Sequence, residues 1–251
     1  MDKVIGVIPA RYGSTRFPGK PLHPILGRPM IAWTIEGALK SQKLNQLIVA
    51  TDDLRIFDYV NSLKKTQPKV DVLMTPESLV SGTDRVFHAL REKACDLVVN
   101  IQGDEPLIEG KLIDQLVESL QRAEDCMMAS VCHPLDIMDL KNPDIVKVIE
   151  NQHQEAIYFS RLPIPFSKTS MNPQNHVVFR HIGIYAFRKS FLEKFCTSPQ
   201  AELELAENLE QLRALYLGAK IKMTHVDQYT QGVDRPEDIL RVEKILLDRK
   251  L

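Results

Sequence analysis

The chain has 251 residues, of which 44% are hydrophobic and 26% charged, as in ordinary globular proteins of a size that needs no disulfide or metal to stabilise the core. Its 32 basic and 33 acidic residues leave a net charge of −1, whereas broad binding to nucleic acid or to a membrane surface needs a basic excess. We therefore expect neither a nucleic-acid nor a membrane partner.

Short apolar runs alternate with amphipathic stretches in the first half of the chain. The runs cover residues 4–8, 47–51, 70–74 and 97–101. Continuous apolar runs of this length are typical of strands buried on both faces of a parallel sheet. The amphipathic stretches predict helices over residues 29–40, 53–63, 83–93 and 110–121. This alternation predicts an α/β fold with a mostly parallel central sheet flanked by helices.

The second half of the chain is less regular. Its apolar runs predict strands over residues 128–131, 146–150, 157–160, 179–187 and 221–226. Prolines predict a loop over residues 162–173, within a small insertion subdomain. Residues 202–217 predict one helix with Leu203, Leu205, Leu209, Leu212 and Leu215 available for its buried side, and residues 236–247 predict the last helix.

The four cysteines and the first residues indicate the compartment. Cys95, Cys126, Cys132 and Cys196 form no C-x-x-C pair and no His/Cys cluster with zinc spacing, so we interpret them as small core residues. The first apolar run stops at Pro9, which is too early for a signal peptide or a membrane span. We expect a cytoplasmic protein.

The loop after the first predicted strand is the first candidate site. It reads PARYGSTRFPGK over residues 9–20, with three cations, two glycines and two hydroxyls. It leaves the carboxyl end of a strand, where ligands bind in open α/β sheets. Arg and Lys complement phosphate charge and glycines allow close backbone approach, so the loop suits a triphosphate. A solvated basic loop would explain the same residues.

Two acidic segments are candidates for a metal site. NIQGDEP at residues 100–106 follows the fourth apolar strand, and magnesium prefers a few carboxylates together with phosphate oxygens and water. Alternatively, Asp104 and Glu105 would only shape the turn or cap the next helix. GVDRPED at residues 232–238 precedes the last predicted helix. Asp234 there either caps that helix or completes the metal site with Asp104.

Three further segments carry polar groups, and they read SGTDR at 81–85, RHIGIY at 180–185 and ENLEQLR at 207–213. The first opens a helix and offers amides, a hydroxyl and a guanidinium. The second places polar groups on an otherwise apolar strand. The third puts Glu207, Glu210 and Gln211 along neighbouring helical faces, which an ordinary salt-bridged surface would explain equally well.

Taken together, these segments resemble the 3-deoxy-manno-octulosonate (Kdo) cytidylyltransferases. The matching blocks occur in the family's order over nearly the whole chain, and read IPARY (8–12), PGKPL (18–22), VATDD (49–53), SGTDR (81–85), VNIQGDEPLI (99–108), YFSR (158–161), RHIGIY (180–185), LEQLR (209–213) and GVD (232–234). The first block alone would fit other sugar nucleotidyltransferases. The later blocks narrow the resemblance to the Kdo enzymes.

The resemblance implies a nucleotide-diphosphosugar transferase fold that transfers CMP from CTP to Kdo, which is then used for lipopolysaccharide. It implies Mg²⁺ as cofactor, CTP and Kdo as substrates, and a homodimer. It also implies one catalytic domain over residues 1–251, with a nucleotide-binding half at about 1–125, a sugar-binding and dimerisation region at about 126–230, and a metal-site segment with the closing helix at 231–251.

The resemblance also assigns site residues. Arg11, Lys20, Asp104 and Asp234 are implied to be catalytic, with Asp104 and Asp234 as the metal ligands. The implied nucleotide-binding residues are Ala10, Arg11, Lys20, Ser81, Arg85 and Gln102. The residues implied to surround the sugar acid are Gln102, Arg161, His181, Tyr185, Glu210 and Gln211.

Two departures leave the acceptor open. Ala201-Glu202 replaces a Ser-Pro that often precedes the helix with Glu210, and the loop at 162–178 is individual. The alternatives to Kdo as the acceptor are therefore an 8-amino relative of Kdo and a sialic acid. A non-catalytic CTP-binding regulator is a further alternative, although retention of both Asp104 and Asp234 argues against it. The absence of G-x-G-x-x-G argues against a dinucleotide oxidoreductase.

Overall fold

The computed structural model describes residues 2–13, 17–166, 177–227 and 232–248. In these ranges the elements are, in chain order, β1 (Val4–Ala10), β2 (Pro24–Ile25), β3 (Arg28–Pro29), α1 (Met30–Leu39), β4 (Gln46–Thr51), α2 (Leu54–Leu63), β5 (Val70–Met74), α3 (Gly82–Ala89), β6 (Leu97–Asn100), α4 (Gly110–Arg122), β7 (Met128–Pro134), β8 (Lys147–Glu150), β9 (Ala156–Ser160), β10 (Phe179–Arg188), α5 (Lys189–Thr197), α6 (Glu202–Glu207), α7 (Gln211–Tyr216), β11 (Ile221–His225) and α8 (Asp238–Asp248). None of these helices is long and apolar enough to cross a membrane.

The chain divides into two compact units, one of residues 1–114 and 230–251 and the other of residues 115–229. In the first unit, β6, β1, β4 and β5 lie side by side and all run parallel. The apolar side chains of β1, β4 and β6 are almost completely buried, as continuous runs require, whereas the end of β5 is more exposed. The four predicted strands of this half are thereby confirmed. Because the strands are parallel, the loops that follow β1 and β6 emerge at the same edge of the sheet.

Capping side chains explain where two helices of the first unit, α2 and α3, begin. The Asp53 carboxylate accepts the Arg55 N–H at 2.9 Å and starts α2. Ser81 and Asp84 form a reciprocal capping box at the start of α3. The prediction of a helix up to residue 93 was too long, because α3 ends at Ala89 and Leu90 leaves the helical conformation.

The end of the chain is held in the first unit by apolar packing. Val233 and three residues of α8 share a buried cluster with side chains from the first forty residues and with Leu107, namely Phe17, Ile25, Met30, Trp33, Leu107, Val233, Ile239, Val242 and Leu246. The Glu243 carboxylate also accepts the Leu26 N–H at 2.8 Å. This packing determines where the residues just before α8 lie.

The second unit contains a mixed sheet. β10 runs antiparallel to both β7 and β8, β8 runs antiparallel to β9, and β11 runs parallel to β7. The predicted strands are present with small changes at their ends. The pairing of β10 with β7 shifts in register between Ile182 and Tyr185.

The prediction of one helix over residues 202–217 was wrong. Asn208 adopts the left-handed conformation, with φ 53°, and separates α6 from α7. Leu203 and Leu205 are consequently 45% and 61% exposed, whereas Leu209 and Leu212 are buried. The helix α5 was not predicted, although it buries Phe191, Leu192 and Phe195.

A buried ion pair joins the two short helices. The Arg213 guanidinium donates to both oxygens of Glu204, at 2.7 and 2.5 Å, and both side chains are almost fully buried. The neighbouring Arg213 holds the pKa of Glu204 below its ordinary value against the opposing effect of burial. Such a bidentate pair fixes the relative orientation of α6 and α7.

Replacing Glu204 by Gln should destabilise the protein, because a buried charge on Arg213 then loses its counter-ion. We expect the free energy of unfolding to fall by about 3 kcal/mol, measured by urea denaturation. Glu202→Gln, at an exposed position of the same helix, should change it by less than about 0.5 kcal/mol. Equal effects of the two substitutions would contradict the assignment.

Candidate functional site

The loops after β1 and β6 enclose a cavity in the first unit. Its volume is about 160 Å³, and its lining residues are Pro9, Ala10, Arg11, Lys20, Pro21, Gln102, Gly103 and Asp104. Five of the predicted site residues, Ala10, Arg11, Lys20, Gln102 and Asp104, are therefore brought together. Ser14, Thr15 and Arg16 of the same loop lie outside the described residues.

Among the described residues, Lys20 is one of two cations that line this cavity, and two hydrogen bonds hold its amino group in place. It follows Gly19, whose φ of +72° and whose close approach to the Tyr12 ring both favour glycine. Lys20 Nζ donates to Asp104 Oδ2 at 2.6 Å and to the Val233 carbonyl at 2.9 Å. The ammonium group is thus fixed at the point where three distant segments of the first unit meet.

Asp104 and Asp234 are brought close by the backbone. The Val233 N–H donates to the Asp104 carbonyl at 2.9 Å. A Cβ atom on Gly232 would lie 2.5 Å from the same carbonyl oxygen, so only glycine allows the two segments to approach this closely. The side chain of Asp104 lines the cavity and that of Asp234 is exposed.

α8 begins at Asp238, and the Asp238 carboxylate accepts the N–H groups of Asp234 and Arg235, each at 2.9 Å. These bonds hold the segment that precedes the helix. The alternative role of Asp234 as the cap of the last helix stays a prediction, and its side chain is exposed.

Ser81 and Arg85 are bonded within the protein. The Ser81 hydroxyl takes part in the capping box of α3. The guanidinium of Arg85 is fully buried, pairs with Asp52 at 2.7 Å and donates to the Thr75 hydroxyl. Burial lowers the pKa of Arg85, and Asp52 opposes this shift. A direct nucleotide contact by Arg85 stays a prediction, and its partner Asp52 was missed because nothing in the sequence links the two residues.

Arg11 adds a second positive charge at the edge of the cavity. Its side chain is exposed and its Nη1 lies 3.5 Å from the Val80 carbonyl. The contact joins the loop after β1 to the segment that leads into α3. An exposed guanidinium at the edge of the cavity is free to reorient towards an anion.

The second unit brings together three of the residues predicted to surround a sugar acid. The Tyr185 hydroxyl donates to Gln211 Oε1 at 3.2 Å, and Gln211 Nε2 lies 3.4 Å from His181 Nδ1. All three side chains are at most 8% exposed. Glu210 precedes α7, and its charge contributes to raising the pKa of Tyr185 above the ordinary value, after the larger effect of burial.

Ser130 completes this polar cluster and was missed by the sequence prediction. Its hydroxyl lies 2.8 Å from His181 Nε2 and also donates to the carbonyls of Ile182 and Ile184. Its only signal in the sequence is a hydroxyl within an apolar strand. Burial lowers the pKa of His181 to about 3, so the imidazole is neutral near pH 7 and offers one donor and one acceptor.

Arg161 is held at the end of α6. Its Nε donates to the Glu207 carbonyl at 2.9 Å, and its Nη1 donates to the Pro143 carbonyl at 3.0 Å. The Glu207 carboxylate accepts the Ser160 hydroxyl at 2.7 Å and the Arg161 N–H at 2.9 Å. Glu207 is thus a structural anchor for Arg161, and its interpretation as part of a surface salt-bridged face was wrong.

Comparison with known proteins identifies the family. The cytidylyltransferase family model matches residues 5–221. A 3-deoxy-manno-octulosonate cytidylyltransferase from Bdellovibrio bacteriovorus is 49% identical over 97% of this chain and 98% of its own length.

The chain belongs to the 3-deoxy-manno-octulosonate cytidylyltransferase family. A relative of the same name from Zea mays is 41% identical over 100% of this chain and 83% of its own length. The solved structure of CMP:2-keto-3-deoxy-manno-octonic acid synthetase complexed with CTP has a TM-score of 0.91 and 36% identity, over 98% of this chain and 99% of that one. The predicted family and the predicted α/β fold of this cytidylyltransferase are confirmed.

The neutral state of His181 predicts how the stability of this cytidylyltransferase depends on pH. The unfolded chain binds a proton near pH 6.5 and the folded chain only near pH 3, so stability falls as the pH decreases through this interval. We expect His181→Gln, which does not titrate, to lose about 2 kcal/mol less unfolding free energy than wild type between pH 7.5 and pH 5.

Urea denaturation at both pH values measures the change in unfolding free energy for each protein. The comparison does not depend on how much stability the substitution itself removes at pH 7.5. His153→Gln, at an exposed position, is the control and should keep the wild-type pH dependence. A His181 variant whose stability falls as steeply as that of wild type would show that His181 is protonated in the folded protein.

Proposed function

We propose that this chain transfers CMP from CTP to the anomeric hydroxyl of Kdo, giving CMP-Kdo and pyrophosphate for lipopolysaccharide biosynthesis. The observation that carries the proposal is the junction of Lys20, Asp104 and Val233 at a cavity lined by Arg11. It places two cations beside a carboxylate, as a metal-bound triphosphate requires. The names of the relatives from Bdellovibrio bacteriovorus and Zea mays support the choice of reaction.

Arg11 and Lys20 are assigned to the triphosphate. Lys20 Nζ is paired with Asp104 and also held by the Val233 carbonyl. A phosphate oxygen that takes Lys20 as its partner leaves the Asp104 carboxylate for a metal, while the carbonyl keeps the ammonium group in position. Ala10, Gln102 and Gly103 line the same cavity, and we assign Ala10 and Gln102 to the nucleotide. Ser81 and Arg85 are assigned to it through the neighbouring start of α3.

Asp104 and Asp234 suit a magnesium ion. The family generally depends on a divalent metal, and two carboxylates with room for phosphate oxygens are the donors that Mg²⁺ prefers. The backbone bond between Val233 and Asp104 keeps the two segments together. When bound, Mg²⁺ neutralises phosphate charge and orients the triphosphate.

The sugar acid is assigned to the polar residues of the second unit, with Gln102. His181, Tyr185 and Gln211 form a neutral hydrogen-bonded cluster suited to hydroxyl groups. Arg161 supplies a positioned cation for the Kdo carboxylate, and Glu210 is an acceptor beside Tyr185. These residues bind and orient the hydroxyl for in-line attack on the α-phosphorus, so no covalent enzyme intermediate is needed.

Exposed apolar side chains in the second unit support a homodimer. Ile157, Leu162, Phe166 and Leu205 are between 54% and 87% exposed, and removing such apolar side chains from water favours association. The homodimer, the cytoplasmic location, the absence of nucleic-acid partners and the division at about residues 125 and 230 remain predictions from the sequence.

Pyrophosphate release tests the proposed reaction. We expect release with CTP, Mg²⁺ and Kdo that EDTA abolishes, and at least tenfold lower kcat/KM with 8-amino-Kdo or N-acetylneuraminate. A preference for another acid would replace Kdo as the acceptor and keep the chemistry. Tight CTP binding without release for any acid would instead indicate a non-catalytic regulator.

Asp104→Asn tests the role of the carboxylate at the junction. We expect kcat to fall at least about 10²-fold, since one strong electrostatic stabiliser of the transition state is lost, whereas the amide can still bond to Lys20 and preserve the fold. Asp58→Asn, at an exposed position of α2, is the matched control and should retain wild-type kcat. Normal turnover by the Asp104 variant would remove this residue from the site.

A further inference from the structure

Three potential metal ligands from distant parts of the chain meet in the second unit. They are Cys132 on β7, Glu150 on β8 and His225 on β11. One ligand atom from each lies within 4.8 Å of the other two. This cluster was not predicted from the sequence, because its residues are far apart along the chain and lack the short spacings of zinc motifs.

Strand pairing explains the cluster. Cys132 and His225 are direct neighbours in the parallel ladder between β7 and β11, so both side chains point to the same face of the sheet. The Glu150 carboxylate approaches His225 Nε2 at 2.9 and 3.0 Å. The edge-on contact of the imidazole with the Phe179 ring, at 4.6 Å between centroids, holds the ring in this orientation.

The donor set is that of a transition-metal site. Thiolate, imidazole and carboxylate are the three ligand types that bind Zn²⁺, with bonds of roughly 2.0–2.3 Å. The spread of 4.8 Å closes to such bonds through side-chain shifts of about an ångström. The thiolate separates this cluster from Asp104 and Asp234, whose oxygen-only ligands favour Mg²⁺.

The surroundings allow an ion to enter. Cys132 is fully buried, whereas the side chains of Glu150 and His225 are 14% and 30% exposed. His225 also lines a cavity of about 1000 Å³ in the second unit, together with Met223 and Thr224. Metal binding must release the proton of the Cys132 thiol to the buffer.

We propose that Cys132, Glu150 and His225 form a Zn²⁺ site that ties β7, β8 and β11 together, with water completing the coordination. Uptake changes no oxidation state: the ion gains bonds to sulfur, nitrogen and oxygen, and the Cys132 proton leaves to solvent. Where His225 Nε2 and Glu150 share a proton, the ion replaces it.

Cobalt(II) is the probe of choice, because only a thiolate ligand gives an intense sulfur-to-metal charge-transfer band. The full-length protein is titrated with Co²⁺ in excess Mg²⁺, which occupies the oxygen-only carboxylates. We expect the charge-transfer band to saturate at one Co²⁺ per chain and to disappear when Zn²⁺ displaces Co²⁺. Cys132→Ser should abolish the band, and Cys126→Ser, at another buried cysteine of the same unit, should keep it.

Glu150 and His225 are partly exposed, so variants of these two ligands should fold even if a variant of the buried Cys132 does not. Glu150→Gln and His225→Gln should each lower Zn²⁺ affinity at least tenfold by competition with a chelating dye. Zn²⁺ should raise the Tm of wild type and of Cys126→Ser by several degrees, and leave that of His225→Gln unchanged. No thiolate band, a band that persists in Cys132→Ser, or unaltered affinity in both partly exposed variants would overturn the proposal.

Discussion

The amino group of Lys20 bonds to two segments that are far from it in sequence, and the candidate site of the first unit depends on these bonds. Its partners are the Asp104 carboxylate and the Val233 carbonyl. A partly buried ammonium group is costly to desolvate unless it is paired. The two acceptors satisfy this requirement and, in doing so, join the loop after β1, the loop after β6 and the segment before α8.

The junction is supported by packing as well as by charge. Val233 belongs to the apolar cluster that contains Trp33 and Leu107, and Gly232 lets its neighbour approach the Asp104 backbone. Rigid support of this kind is needed because misplacing a phosphate-binding group by about an ångström can cost roughly 10²-fold in rate. The distant end of the chain therefore positions the candidate site, in addition to carrying Asp234, the proposed metal ligand.

The sequence predicted the parallel sheet of the first unit well, because strands buried on both faces leave continuous apolar runs that polar turns interrupt. It failed at residues 202–217, where leucines fit one amphipathic helix as well as two short ones. The left-handed conformation of Asn208 decides between them, and Asn is one of the few residues that adopt it at small cost.

The residues of the candidate sites were likewise predicted only in part. Asp104 and Lys20 stood out because they follow strand ends, where parallel sheets bind ligands. Ser130 was hidden inside an apolar strand, and the pairing of Asp52 with Arg85 depends on tertiary structure alone.

The candidate sites of the two units accommodate their polar groups in different ways. In the first, charged side chains are paired, as Lys20 is with Asp104. In the second, burial keeps His181 and Tyr185 neutral, and hydrogen bonds to Ser130 and Gln211 replace the water they lose. Phosphates require compensating charge, whereas sugar hydroxyls need fixed neutral donors and acceptors. The proposed assignment of the triphosphate to the first unit and of the sugar acid to the second agrees with this difference.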